Sequence, residues 1–200
     1  MQGSNIFDQM ATRYDTPDRV ENARIIARAI RAELGDASGG RCLDCGCGTG
    51  LVGLELLDLF DSMLFVDTAP QMVEQVQRKL DAAHIESADT LCCDLCSAEA
   101  DGLEFDCAVM SQVLLHVPDY LPLLTRIHAL LPHGGQLIIV DFDKNERIPS
   151  DRVHNGFEQS VLIQQLLQIG FSSADAHTFH HGQKIFMNQD ASMFILHAIK

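Results

Sequence analysis

"RCLDCGCGTG", residues 41–50, carries two possible chemistries at once. Cys42, Cys45 and Cys47 form a C-x-x-C-x-C run of the kind that holds a metal. Gly46, Gly48 and Gly50 form a glycine turn of the kind that receives a nucleotide-like ligand. The flanks favour the glycines. Leu43 lies in an apolar strand-like run before them, and "LVGLELL" opens a helix-like run after them. At such a junction, backbone amides approach a ligand where a side chain would collide. A zinc site needs a full tetrahedral ligand set, whereas Cys42 and Cys45 point to opposite faces of a strand. The "CCDLC" run of Cys92, Cys93 and Cys96 is a poor second half-site. The thiols are read as packing groups, and no metal is expected.

The glycines themselves fit two frames. "GTGLVG", residues 48–53, matches the G-x-G-x-x-G of dinucleotide enzymes, with Asp67 about 20 residues further on. That frame buries Asp44 and Gly46 inside a parallel strand, which suits neither residue. The frame Asp44-x-Gly46-x-Gly48-x-Gly50 puts the acid at the strand tip, facing a ligand. It accommodates the strand better.

Outward from this turn, apolar strand-like runs alternate with amphipathic ones, which predicts an α/β fold with a mostly parallel sheet. "RVENARIIARAIRAEL" spaces Ala23, Ile26, Ala27, Ile30 and Leu34 for a helix, and "DASGG" breaks it. "RCLDC" is the first strand, "LVGLELLDLF" a helix and "SMLFVD" the second strand. "APQMVEQVQRKLDAA" is a helix with Met72, Val73, Val76 and Leu80 inward. "DTLCCD", "FDCAVMS" and "QLIIVDF" are the next strands, with the helix "DYLPLLTRIHALL" before the last of them. "FEQSVLIQQLLQIGF" is a helix with a left-handed stop at Gly170. "SSADAHTFHHG" and "SMFILHAIK" have too little between them for a helical crossover, so they form an antiparallel pair. No internal repeat interrupts the chain. It reads as a single domain over 1–200, with an N-terminal helical segment (1–35) before an α/β core (36–200).

Composition narrows the function. The 200 residues carry a formal net charge of −14 and no basic cluster, which disfavours nucleic-acid and lipid-surface partners. No hydrophobic signal region opens the chain, and no window approaches the ~20 apolar residues of a membrane span. Seven cysteines are an odd number for a closed disulfide set, and reduced thiols in a cytoplasmic protein are expected.

With these residues in hand a resemblance is plain. "LDCGCGTG" is similar to the first motif of the class I S-adenosylmethionine-dependent methyltransferases. "LFVDTAPQM", "LCCDL", "FDCAVMSQVLLHVPD" and "LLPHGGQLIIVDF" follow in that family's order. The resemblance implies a Rossmann-like, doubly wound, seven-stranded sheet, mostly parallel with an antiparallel last strand. Its expected cofactor is S-adenosyl-L-methionine, with S-adenosyl-L-homocysteine as product, and its expected acceptor a small molecule. "FDQMATRYD" resembles the N-terminal segment of the quinone-biosynthesis group, which folds over the cofactor. Cys45 stands where the family usually has an aliphatic residue, and its small apolar thiol fills that role.

The roles implied are as follows. Gly46, Cys47, Gly48 and Gly50 admit the methionine and ribose portions. Asp44 faces the ammonium end, and Asp67 accepts the ribose hydroxyls. Asp94 and the Leu95 amide meet the adenine, Thr68 and Met72 flank Asp67, and Ser111 and Gln112 end the fourth strand at the ligand side. Tyr14, Arg19, His116, Asp143, His154 and Phe157 are the acceptor-side candidates, with Tyr14, His116 and His154 as candidate catalytic groups. His177, His180 and His181 read as strand and surface residues. Phe7, Met10, Ala11 and Tyr14 form an apolar helical stripe ahead of the core, which suits a lid. Methyl transfer from a sulfonium is an in-line displacement, so alignment matters and a general base is optional. Two other readings stand beside this one: a cofactor-binding regulatory module without catalysis, and an NAD(P)-dependent oxidoreductase using "GTGLVG".

Overall fold

The computed structural model describes residues 7–35, 39–148 and 153–200. The boundary expected between the N-terminal segment and the core, at 35/36, meets the undescribed residues 36–38. The first long helix, α1 (Pro17–Leu34), starts at a Thr16 cap, whose side chain accepts from the Arg19 amide, with proline at the first turn. It buries Ala23, Ile26, Ala27, Ile30 and Leu34, the five residues its period predicts.

Five parallel strands follow: β1 (Arg41–Cys45), β2 (Ser62–Asp67), β3 (Ala88–Cys92), β4 (Cys107–Ser111) and β5 (Gln136–Phe142). Helices α2 (Pro70–Ala83), α3 (Leu121–Leu130) and α4 (Gln159–Ile169) lie between or after them. β6 (Ser173–Phe186) and β7 (Gln189–Ile199) complete a seven-stranded sheet of order β3-β2-β1-β4-β5-β7-β6. β7 runs antiparallel to both β5 and β6. The strand order reverses between β1 and β4, the switch point where open α/β sheets receive ligands beyond their carboxyl ends. β1, β2, β4 and β5 are buried nearly throughout, as strands covered on both faces must be.

Three local expectations need correction. The run "LVGLELLDLF" forms a 3-10 helix, Gly53–Leu59, not an α-helix. Its two buried residues, Gly53 and Leu56, are three positions apart, the period of a 3-10 turn. Gly170 ends α4 at φ 124°, outside the left-handed helical region, while its amide still satisfies the Leu166 and Leu167 carbonyls. The last hairpin is longer than read: β6 and β7 continue through residues 183–191 to a tip at Met187 and Asn188, both at positive φ. Near that tip Phe186 stacks on Phe142, with centroids 4.2 Å apart, so the hairpin arm bends over the end of β5.

Candidate functional site

β1 ends in a turn pinned from below. The amides of Gly46 and Cys47 both donate to the Val66 carbonyl, at 2.8 and 3.0 Å, which ties the turn to β2. Gly46, Gly48 and Gly50 all adopt positive φ, the reason glycine is needed there. Their faces differ. A Cβ on Gly46 would lie 2.6 Å from Val113, so that bare face receives a protein side chain. A Cβ on Gly48 would meet nothing within 4 Å, so that face is open.

Asp67 closes the other wall. Its carboxylate accepts from the Gly48 amide and the Ala69 amide, both at 2.9 Å, bridging the turn to the head of α2. Burial raises its pKa above the ordinary carboxylate range, and the amides of Ala69, Gly48 and Thr68 pull it back. Thr68 itself is exposed at the rim. Beneath the turn Asp44 is 3% exposed, and its Oδ2 has no hydrogen-bond partner. Burial first, then the nearby Asp67, pushes its pKa up to about 7, against the amide of Gly53. Gly53 is required here, because a Cβ would stand 2.3 Å from that Oδ2.

The N-terminal segment lies across this wall. Residues 7–10 are helical and Ala11–Arg13 form a 3-10 turn. Ala11 packs with Ala69 and Met72, flanked by Phe7 and Tyr14. Asp8 accepts from the Gln71 amide at 3.0 Å, in the first turn of α2. Asp15 accepts from the buried Thr49 hydroxyl and pairs with Lys79 at 2.7 Å, while Lys79 also donates to the Thr49 carbonyl. Phe7 meets His116 edge-on, with centroids 5.1 Å apart. Arg19 covers the Tyr14 ring at 4.1 Å, and burial raises the Tyr14 pKa. Met10 turns outward at 37% exposed, so of the expected stripe Phe7, Ala11 and Tyr14 pack inward and Met10 does not. Met72 is 1% exposed and packs with Ala11 and Ala69.

The remaining candidates divide. β3 ends at Cys92, so Asp94 lies in the next turn, exposed, where its side chain accepts from the Cys96 amide. Leu95 is buried, and its carbonyl takes a bond from Arg126. Ser111 and Gln112 stand at the switch point, Gln112 at φ 55° with its amide on the Val140 carbonyl. His116 ends the 3-10 turn Leu114–His116. The protein around its ring lowers its pKa by desolvation, although its outer edge stays exposed. His154 is committed to backbone: its amide bonds the Leu115 carbonyl and its Nε2 lies 3.0 Å from the Val117 carbonyl. Its ring packs with Tyr120 and Phe157. Asp143 is bonded by Gln159 at 2.6 Å and Thr178 at 2.7 Å. His177 and His181 are exposed and His180 is half-buried on β6, as read.

The cysteines sit apart from any ligand set. Cys42 and Cys45 are buried in β1, and Cys47 donates weakly to the Gly48 carbonyl. Among the described residues no group of three His, Cys, Asp or Glu is placed to hold a metal. Two open depressions of about 390 and 620 Å³ lie outside the cleft, by Asp143 and Ser192 and by Cys96 and Leu121. The sequence reading passed over Asp141 on β5, which is wholly buried and bonded to the turn that carries His116. An acid near the end of an otherwise apolar run was its only signal.

Comparison with known proteins agrees with this architecture. Residues 17–181 match the family model described as "Methyltransferase domain". The chain is 31% identical over 183 residues to the ubiquinone/menaquinone biosynthesis C-methyltransferase UbiE of Geobacter sp. (strain M21), covering 87% of this chain and 76% of that protein. It is 29% identical over 182 residues to the O-methyltransferase cnsE of Penicillium expansum, covering 81% of this chain and 64% of that protein. A SAM-dependent methyltransferase from Aquifex aeolicus shares the fold, with a TM-score of 0.70 at 16% identity over 96% of this chain and 97% of its own. A glycine turn at the switch point, two acids below and beside it, and this match over most of the chain lead to one assignment: the chain belongs to the methyltransferase domain family of class I S-adenosylmethionine-dependent enzymes.

Proposed function

We propose that the cleft bounded by the glycine turn, Asp67 and the N-terminal segment holds S-adenosylmethionine, and that its methyl group passes to a small organic acceptor on the His116 side. Asp44 carries this reading. A buried carboxylate oxygen without a partner is costly, and a cation would complete it. The ammonium end of the donor is such a cation. The open face of Gly48 fits the same group, and so does the Asp67 carboxylate, which has lone pairs to spare beyond its two amide bonds.

When bound, the donor supplies an electrophilic methyl on a sulfonium. The chain's own residues do the rest. Asp44 orients the ammonium end and Asp67 the diol, while Gly48 lets the backbone close in. The N-terminal segment, latched by Asp15 to Thr49 and Lys79, excludes water from the transfer. None of the three catalytic candidates acts as a base in this reading. Tyr14 stays protonated because burial raises its pKa, His154 is spent on the Val117 carbonyl, and His116 offers a neutral ring edge to Phe7. Alignment and desolvation then supply the rate.

Quinone-type and other small aromatic acceptors suit the Phe7–His116 wall and the C- and O-methyltransferase relatives. A net charge of −14 argues against a polyanionic acceptor, and among the described residues no helix is long and apolar enough to cross a membrane. We assign the enzyme to the cytoplasm, where its free thiols stay reduced. The test is calorimetry with S-adenosylmethionine, S-adenosylhomocysteine and NADH, followed by assay of S-adenosylhomocysteine formation against a panel of hydroxylated aromatic metabolites. Binding of S-adenosylmethionine and S-adenosylhomocysteine but not NADH, with turnover on at least one acceptor, is expected. Binding without turnover on any acceptor would leave a regulatory module, and preference for NADH would overturn the reading.

A further inference from the structure

Asp141 is the penultimate residue of β5 and has no exposed surface. Its Oδ1 accepts from the Phe142 amide at 2.9 Å and its Oδ2 from the Leu115 amide at 3.2 Å, with the Leu114 amide also directed at it. Such a carboxylate is costly to bury and does no chemistry there, so its hydrogen bonds define its use. Two of its three donors belong to the turn Leu114–His116, which follows β4 rather than β5. The same turn is held from the far side by His154, whose amide bonds the Leu115 carbonyl at 2.9 Å. Its last residue, His116, is the one that meets Phe7. Leu115 is therefore a peptide gripped at both ends, by Asp141 at its N–H and by residue 154 at its carbonyl.

We infer that Asp141 is a positioning residue: by clamping the Leu114–His116 turn to the end of β5 it sets where His116 receives Phe7, and so governs how the N-terminal segment seats on the cleft. This rests on the cleft being the reaction site, but its test does not pass through catalysis. Burial pushes the Asp141 pKa up to about 7, opposed only by its three amides. The other titratable groups on the elements packed around it are otherwise engaged. Asp143 is held by Gln159 and Thr178, His154 by the Val117 carbonyl, and His116 lies against Phe7. On β7 its register partner is Phe194, and β4 ends at Ser111 opposite the preceding Val140, so neither strand places a titratable side chain beside it. Ionised, the carboxylate offers lone pairs to all three amides, and protonated it gives one up to its own hydrogen. The clamp on Leu115 weakens as pH falls through about 7.

The chain contains no tryptophan, so Phe7→Trp installs a single emitter at the seated end of the segment. Without cofactor, the indole emission of this variant should change with pH with a midpoint near 7. The transition should be lost when Asp141→Asn is added, although His116 is still present to titrate, and kept when Asp44→Asn is added instead. Persistence of the transition with Asp141→Asn, or its loss with Asp44→Asn, overturns the inference. Should Asp141→Asn fail to fold, carboxyl carbon and amide NMR of the unaltered chain decides. The Leu115 amide must follow the Asp141 carboxyl with the same midpoint, and independent titration overturns the clamp. Cofactor affinity, measured separately by calorimetry, reports on the cleft whichever way this falls.

Discussion

Two strand tips in this molecule each bury a carboxylate. Asp44 near the end of β1 and Asp141 near the end of β5 both have pKa values raised to about 7, principally by burial. Their surroundings differ. Asp141 is met by three backbone amides and perturbed by no neighbouring charge. Asp44 has the amide of Gly53, the charge of Asp67 nearby, and an oxygen with nothing bonded to it. A complete hydrogen-bond shell marks a carboxylate that holds the scaffold, and an incomplete one marks a carboxylate that awaits a partner. Titration behaviour alone does not separate the two; the count of donors does.

That contrast can be broken or sharpened by experiment. The largest effect is expected at the acid beside the pair: Asp67→Ala should cost about 3 kcal/mol of cofactor affinity, roughly 100-fold, because charge-assisted bonds to the ligand are lost. Unchanged affinity by calorimetry would remove Asp67 from the site. Next, Gly53→Ala drives a methyl to 2.3 Å from Asp44 Oδ2 and 2.5 Å from the fully buried Phe65. A loss of about 2–3 kcal/mol in denaturant unfolding is expected, typical of overpacking. A neutral result would mean that Asp44 is free to move.

Asp44→Asn should weaken cofactor binding by about 2 kcal/mol above neutral pH, as a charged partner becomes a neutral one. In the unaltered protein, binding should tighten as pH rises through about 7, because only ionised Asp44 attracts the ammonium. In the variant that rise should vanish. Asp141→Asn should leave affinity at pH 8 within about twofold, the limit for residues without a shared partner; an equal loss in both variants erases the distinction between the tips.

Stability runs the opposite way. Both folded pKa values lie above the ordinary 3.8. The stability these groups contribute is therefore complete below 3.8 and is lost as pH rises through about 7. Thermal melting should fall as pH rises from about 4 to about 7, and less steeply in either Asn variant. The smallest effect belongs to the thiols. Cys47→Ser, at a half-buried position, should shift cofactor affinity by less than ~0.5 kcal/mol, as for substitutions away from specific contacts. A larger loss would give the sulfur a role in the site.

The succession of strands along the chain and the glycine turn were legible because they rest on local signals: apolar runs of strand length, a helical period in α1 and α2, and glycines between them. What lay beyond those signals was a finer local period and the tertiary contacts. "LVGLELLDLF" carries an apolar repeat of three that is easily taken for a helix of longer period. Met72 has helical spacing whichever surface it faces, and only the arrival of Ala11 shows that it is covered. Asp94 belongs to the expected motif, but that one of its oxygens accepts the Cys96 amide beyond the end of β3 is a contact the motif does not encode. Asp141 and His154 owe their roles to bonds with residues 26 and 37 positions away, which no spacing along the chain encodes.

The place of β7 has a consequence for synthesis. β5 is complete at Phe142, but the strand that pairs with its open edge begins only at Gln189, 47 residues later. At about 5–20 residues per second, a ribosome needs roughly 2–9 s to cover that stretch. Throughout that interval the apolar run Leu137–Val140 presents unpaired backbone, the template on which other chains add. Insertion of β7 between β5 and β6 is thus the event that ends the nascent chain's exposure, and any translational pause between residues 142 and 199 lengthens the period in which it aggregates.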